Sequence, residues 1–343
     1  MKDYVWTYWT KPQNKKINYF NLACLGLSTS VVKKHGNARA IYTDSDGAKQ
    51  IEKYNINVPA IVSLDEINEE DSRKWALSKI NTYSKIEFPC IHIDYDVFLW
   101  KEQNISSSDY CVQSLENEDF FTLIYKKTFD DFIDDSGYCP MEIAKFSSKQ
   151  IYAGYNMGYV QINNLDFIKE YAAASMNIFK SMKTFYRHNN IFPEQYLFYC
   201  MTELKGLHID CLFNNNSDID DQCVNSGYTH LMGAKKKGRN IIFNKILNRL
   251  KIENEECYNS ISKEIDWSIF DIGKSLAKSA KDFAAGGMEF TDEKTYKERV
   301  DICKACEHYD PTGYNGTGKC SICKCSTSAK PKLASAQCPI EKW

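Results

Sequence analysis

The chain has 343 residues, 43% of them hydrophobic, with 43 Lys+Arg against 45 Asp+Glu and a formal net charge of −2. That length and apolar content suffice for one sizeable core plus a small second unit, and the balanced charge excludes a global basic field for nucleic acid or anionic membranes. The opening Met1-Lys-Asp-Tyr-Val-Trp-Thr-Tyr-Trp9 lacks a signal peptide's apolar run, and nowhere do roughly 18 apolar residues run together, so a soluble, cytoplasmic protein with no membrane span is expected.

Short β-rich runs bounded by turn residues alternate with helical patterns as far as about residue 235. The expected strands are 4–9, 40–43, 60–64, 90–94, 120–125 and 158–162, and the expected helices 18–34, 72–84, 165–182 and 193–204, the last with Pro193 in its first turn. Such alternation predicts an α/β layer fold with a mostly parallel sheet. Beyond Lys237 the pattern turns to amphipathic helix, with Ile241, Ile242, Ile246, Leu247 and Leu250 at helical spacing. A second helical stretch covers 265–285, the pair Gly286-Gly287 punctuates it, and a further helix with Asp292 and Glu293 in its first turn leads to Cys303. The expected division is an α/β domain over 1–237, a helical connector over 238–295 and a cysteine-rich module over 296–343.

Of 14 cysteines, eight lie singly in the first 257 residues, as reduced core thiols do, and six fall in the last 41. The six read Cys303-x-x-Cys306, then Cys320-x-x-Cys323-x-Cys325, then Cys338. Two C-x-x-C turns complete a tetrahedron around one Zn²⁺ with thiolates at about 2.3 Å, and four protein ligands leave no open position, so the ion reads as structural. The segment is rich in Gly, Ser, Thr and Lys and has almost no apolar core of its own, so its folding should depend on metal. Cys303, Cys306, Cys320 and Cys323 form the simplest zinc ribbon; Cys325 and Cys338 are alternates or members of a binuclear six-thiolate cluster. Lysines 319, 324, 330 and 332 are either a solvated surface or contacts for phosphate.

The segment Pro89-Cys-Ile-His-Ile-Asp94-Tyr-Asp96 sets an apolar strand directly before an Asp-x-Asp. In extended chain residues i and i+2 share a side, so both carboxylates can face one hard cation, Mn²⁺ or Mg²⁺, at a strand's C-terminal end, where open α/β sheets bind ligands. A cation there suits the two phosphates of a nucleotide-sugar. The run Lys235-Lys236-Lys237-Gly-Arg239 supplies local positive charge for a departing diphosphate, or is simply a solvated loop. Lys79 either reaches phosphates or snorkels over Trp75, and Trp9 is either core or part of a nucleoside wall with Tyr8, Thr10 and Asp44.

Several phrases carry resemblances. His230-x-x-Gly233-x-x-Lys236 resembles the metal and diphosphate motif of glycogenin and related bacterial galactosyltransferases, which implies His230 as a third metal ligand and Lys236 on phosphate. Gly154-Tyr-Asn156-Met-Gly158 is similar to the Asn-x-Gly segment lining the donor and acceptor pocket of that superfamily, and Glu194-Gln195 to its residues near the transferred sugar. The order of these motifs follows the GT-A glycosyltransferase fold over roughly 235 residues. Tyr8-Trp9-Thr10-Lys11-Pro12, Trp75-Ala-Leu-Ser-Lys79, His92-Ile-Asp94-Tyr-Asp96 and Glu194-Gln195-Tyr-Leu197 resemble an uncharacterised glycosyltransferase-like family of Bacteroidetes and their phages. The cysteine tail resembles a small module that ends many tailed-bacteriophage proteins, which implies a phage or prophage origin. Glu-Gln in place of the usual Asp-Gln, and the lack of Pro-Trp after Lys236, leave retention or inversion open.

The expectation is therefore a metal-dependent glycosyltransferase. Asp94, Asp96, Asn156, Glu194 and Gln195 are its catalytic candidates, and the acceptor is a glycan, a protein or modified DNA. The competing class is a non-catalytic docking protein whose zinc module contacts nucleic acid or a phage component; a nuclease is disfavoured by the lack of a second acidic cluster or a duplex-sized basic face.

Overall fold

The computed structural model describes residues 2–13, 17–183, 190–214, 219–232, 239–265, 289–322, 325–334, 336–338 and 340–343. The chain divides into two compact units, 1–263 and 264–343.

In the first unit, strands β1 (Asp3–Tyr8), β2 (Asn37–Thr43), β3 (Ala60–Ser63), β4 (Cys90–Ile93), β6 (Tyr110–Glu116), β7 (Gly154–Ile162) and β8 (Ile209–Cys211) form a seven-stranded sheet in the order β3-β2-β1-β4-β7-β6-β8. All pairings are parallel except those of β7, which runs against both β4 and β6. The expected mixed α/β class with a mostly parallel sheet is borne out. Two short strands, β5 (Val97–Leu99) and β9 (Tyr228–His230), pair antiparallel apart from the main sheet, Val97 opposite His230.

Strand alternation covers both faces of the sheet. On β1, the Trp6 indole N–H donates to Ser28 Oγ at 2.9 Å on helix α1 (Tyr19–Val32), whereas neighbouring Thr7 bonds Thr82 at 2.7 Å on helix α3 (Leu77–Lys85). Helix α1 is apolar nearly all round because it is buried all round, with helices α9 (Arg239–Glu253) and α10 (Glu255–Ser262) packed outside it. The start of the expected connector thus packs as part of the first unit. The larger core lies on the opposite face, where α3, α6 (Leu165–Ser181) and α7 (Leu197–Lys205) bury Tyr83, Phe167, Tyr171, Phe198 and their neighbours.

Two local expectations change. Residues 120–125 form no strand: they open helix α4 (Asp119–Ser136), because burial continues at helical spacing through Tyr125, Thr128, Phe129 and Phe132. Gly137 ends that helix in the left-handed region at φ 67°, its N–H on the Ile133 carbonyl. Conversely β6 was not anticipated, because Gln113, Ser114 and Glu116 interrupt its apolar pattern although all three are buried. The stretch 265–285 lies, from residue 266 on, outside the described residues.

The second unit holds the helix Glu293–Lys304, capped by the Asp292 side chain on Thr295 N–H, and a two-stranded ribbon, β10 (Tyr309–Asp310) with β11 (Lys319–Cys320). No helix among the described residues is long and apolar enough to cross a membrane.

Candidate metal site

Six strands that run the same way end, and β7 begins, at one edge of the sheet, and the polar residues collect there. Asp94 follows β4 directly, and its N–H donates to the Gly158 carbonyl of β7 at 2.9 Å. Val97 N–H then donates to the Asp94 carbonyl at 2.9 Å, a tight turn that carries Asp96 to the start of β5. Because β9 pairs with β5, His230 is delivered to the same point, with Nε2 4.0 Å from Asp94 Oδ2 and 3.9 Å from Asp96 Oδ1. One ligand atom from each of the three lies within 4.8 Å of the others. Octahedral Mg²⁺ or Mn²⁺ places ligand atoms about 3 Å apart when adjacent and about 4.2 Å when opposite, so the group can hold a divalent cation with little adjustment.

Beneath the acidic pair lies an ion cluster. Lys79, buried on α3, sets its ammonium 2.9 Å from Asp94 Oδ1, 2.8 Å from Glu194 Oε1 and 2.6 Å from the Met157 carbonyl. Its three donors therefore have three acceptors inside the protein, in place of the phosphate contact or the snorkelling over Trp75 expected of it. Burial raises the Asp94 carboxyl, but the Lys79 charge, aided by His230 and His92, outweighs it and holds the pKa at about 2. Burial pushes Glu194 up against the pull of Lys79, and Asp94 adds to the rise, so Asp94 is the readily ionised member. His92, just below, is fully buried; burial and then Lys79 hold its pKa down at about 3, so the ring is neutral.

Glu194 and Gln195 sit on a π-helical turn, Phe192–Tyr196, a wide geometry often found at functional sites. Tyr171 O–H donates to the Glu194 carbonyl at 2.5 Å and Ser175 O–H to the Pro193 carbonyl at 2.9 Å, supplying partners that the wide turn leaves wanting. Glu194 Oε2 is buried and has no hydrogen-bond partner among the described residues. Nearby, Asn156 Nδ2 donates to Glu116 Oε1 at 2.9 Å, and Tyr125 O–H reaches both Glu116 Oε2 at 2.5 Å and Gln195 Oε1 at 2.8 Å. Asn156, Gln195 and Glu194 are thus drawn to the same edge as the acidic pair, the first two through a carboxylate and a phenol.

Tyr8, Trp9, Thr10 and Asp44 are all buried, and their polar groups are engaged internally. Tyr8 donates to Gln50 Oε1 at 2.8 Å and Trp9 Nε1 to Asn68 Oδ1 at 3.2 Å. Asp44 caps helix α2 (Ser45–Lys53) through Gly47 N–H and accepts from Thr10 O–H at 2.7 Å. The Tyr8 ring meets Tyr95, the residue between the two aspartates, edge to face at 6.2 Å. Gly233 and Lys236, with the rest of 233–238, lie outside the described residues.

Residues 3–264 match a family described as "Family of unknown function (DUF6734)". The chain belongs to that family. No curated protein matches the sequence. Among solved structures the chain is similar to the apo form of mouse xyloside xylosyltransferase 1, at 10% identity and a TM-score of 0.35, over 71% of this chain and 93% of that one. At that distance no activity follows for this DUF6734 protein.

The residues that sequence reading missed are Gln113, Glu116, Tyr125 and Tyr171. None sits in a motif; each carries a polar group on a side chain the fold buries, a pattern visible only once burial is known. The match to DUF6734 ends at residue 264, so the cysteine-rich unit lies beyond it. In that unit Cys303, Cys306, Cys320 and Cys338 line one cavity, with His308 and Trp343 beside them, and Cys325 joins Cys303, Cys320 and Cys338 in an adjoining one. Cys306 N–H donates to the Cys303 carbonyl at 3.2 Å and Cys320 N–H to the Cys325 carbonyl at 3.1 Å. Cys323 lies outside the described residues.

Proposed function

We propose that this protein is a metal-dependent glycosyltransferase that moves a sugar from a nucleoside-diphosphate donor to an acceptor. The observation that carries this reading is the convergence of Asp94, Asp96 and His230 into one cation-sized group at the sheet edge, with Asn156, Glu194 and Gln195 gathered at the same edge. Two hard carboxylates and one imidazole suit Mn²⁺ or Mg²⁺, which when bound supplies Lewis-acid stabilisation to a departing diphosphate.

The residues divide the remaining work. Asp94 arrives ionised because Lys79 sits against it, so it receives a cation without first losing a proton. Lys79 acts on the carboxylates, positioning Asp94 and Glu194 relative to one another. Asn156 and Gln195, oriented by Glu116 and Tyr125, offer amide groups to sugar hydroxyls, and the raised pKa of Glu194 suits it to share a proton with one. Tyr8, Trp9, Thr10 and Asp44 back the nucleoside end through shape, and Lys236, with the backbone at Gly233, serves the diphosphate. In the second unit, four of Cys303, Cys306, Cys320, Cys323, Cys325 and Cys338 hold a structural Zn²⁺, which stands in for the core that the segment lacks.

The test is nucleotide release from UDP-, GDP- and CMP-linked sugars with Mn²⁺, comparing wild type with Asp96→Asn. Turnover of one donor by wild type alone is the expected result. If no donor is turned over, and none shifts the melting temperature in the presence of Mn²⁺, the transferase reading falls and the docking role of the cysteine-rich unit takes its place.

A further inference from the structure

Gln113 lies mid-strand on β6, buried at 2% exposure, far along the chain from every motif above. Its Oε1 is the meeting point of two donors: Tyr228 O–H at 2.7 Å and His230 Nδ1 at 2.8 Å. The Tyr228 phenol is the donor of its bond, since the amide oxygen it meets has no proton to give. An amide oxygen is an acceptor only, and accepting from the imidazole requires the proton on Nδ1. In the neutral ring the lone pair is then on Nε2, the nitrogen that faces Asp94 and Asp96. At 3.9 and 4.0 Å, Nε2 is too far from either carboxylate for an N–H···O bond, which agrees with a ring that does not donate to them. Gly158 completes the arrangement. A Cβ there would meet His230 Cε1, and would stand 2.6 Å from Nδ1 and 2.9 Å from Gln113 Oε1, so the imidazole and the amide are packed against bare backbone.

We infer that Gln113 is the positioning residue of the cation site: it fixes His230 in the Nδ1–H tautomer and in the ring orientation that presents Nε2 to the metal. Outer-shell partners of this kind commonly change metal affinity 10- to 100-fold, about the size of effect expected here. The inference rests on the reading of Asp94, Asp96 and His230 as a cation site.

The probe is Mn²⁺ alone, titrated into the full chain and followed by electron paramagnetic resonance. Wild type, Asp96→Asn, His230→Ala, Gln113→Leu and Gln113→Glu are compared. Expected is a dissociation constant about 10- to 100-fold weaker for Gln113→Leu, a similar loss for His230→Ala, and near-wild-type affinity for Gln113→Glu, which keeps an acceptor. Unchanged affinity in Gln113→Leu beside a loss in His230→Ala overturns the role of Gln113 while leaving the cation site standing. Equal affinity in wild type and Asp96→Asn overturns the site itself. A separate measurement needs no variant of Gln113: ¹⁵N-histidine spectra of the metal-free protein, with the His230 signals assigned by their loss in His230→Ala, should show Nδ1 protonated. The Nε2–H tautomer overturns the inference.

Discussion

At the scale of single residues, the site depends on what lies directly behind each ligand. Gly158 is the clearest case, since its missing side chain is the space that His230 and Gln113 occupy. Gly158→Ala should cost about 1–3 kcal/mol through overpacking and weaken Mn²⁺ binding, both measurable by denaturation and metal titration. Lys79 is a second case. Removing its charge as Lys79→Met leaves Asp94 and Glu194 facing each other in a buried place, and the expected destabilisation is about 3–5 kcal/mol. Equilibrium unfolding in urea checks it, and a loss below about 1 kcal/mol would mean that the cluster behaves like a surface ion pair.

His92 gives the pH dependence. Its folded pKa of about 3 lies below the ordinary 6.5, so between those values the unfolded chain binds a proton that the folded chain refuses. Stability from this group is therefore complete above pH 6.5 and is lost as pH falls towards 3. The slope approaches about 1.4 kcal/mol per pH unit once the unfolded ring is protonated. Denaturation of wild type against His92→Gln between about pH 6.5 and 5 isolates it, because the raised carboxyl of Glu194 acts in the opposite direction. The variant should show the shallower acid slope.

At the scale of elements, what decides the site is how strands and turns are joined. Asp94 and Asp96 owe their placement to a tight turn between β4 and β5 in place of the extended chain expected there; only their position after an apolar strand was legible. His230 owes its placement to the β5–β9 pairing, and three-residue strands carry too little pattern for their pairing to be read from periodicity. The π-helical turn was legible only as a helix start at Pro193. Its carbonyls are met by Tyr171 and Ser175 on α6, a long-range contact with no local sign. Tyr171→Phe should cost about 1–3 kcal/mol by leaving the Glu194 carbonyl without its donor. Under the transferase reading it should also lower donor turnover more than donor affinity, which a split of kcat from KM reads out. The exchange of roles between the expected strand at 120–125 and the unexpected β6 has one cause. Aromatic and β-branched residues favour strands on average, but burial at helical spacing through Phe132 outweighs that tendency in α4, while in β6 sheet pairing tolerates buried polar residues.

For the whole molecule, the two units draw on different sources of stability. The first buries a large apolar core on both faces of its sheet. The second, 264–343, has few buried apolar side chains among its described residues, and five of its cysteines line two adjoining cavities that Trp343 also lines. The Trp343 indole N–H lies 3.2 Å from Cys303 Sγ, with the Arg299 guanidinium 4.7 Å from the ring centre. If zinc is what holds this unit, a strong chelator should release one or two equivalents and open 264–343 to proteolysis, leaving 1–263 resistant. Metal analysis and limited digestion test this together; a chelated chain as resistant as the untreated one removes zinc from the account.

The amino-acid sequence by itself determined the features that depend on near neighbours. These are the alternation that makes an α/β layer, the closeness of Asp94 and Asp96 directly after an apolar strand, and the spacing of the cysteines. Only the tertiary structure decided which distant groups share a buried space. It set Lys79 between Asp94 and Glu194, brought His230 to the acidic pair, and placed Gln113 behind His230. The reason is physical: near neighbours in the chain are held close by a few bonds, whereas the ionisation of a buried carboxylate and the tautomer of an imidazole are set by neighbours that arrive only when the chain closes its long loops.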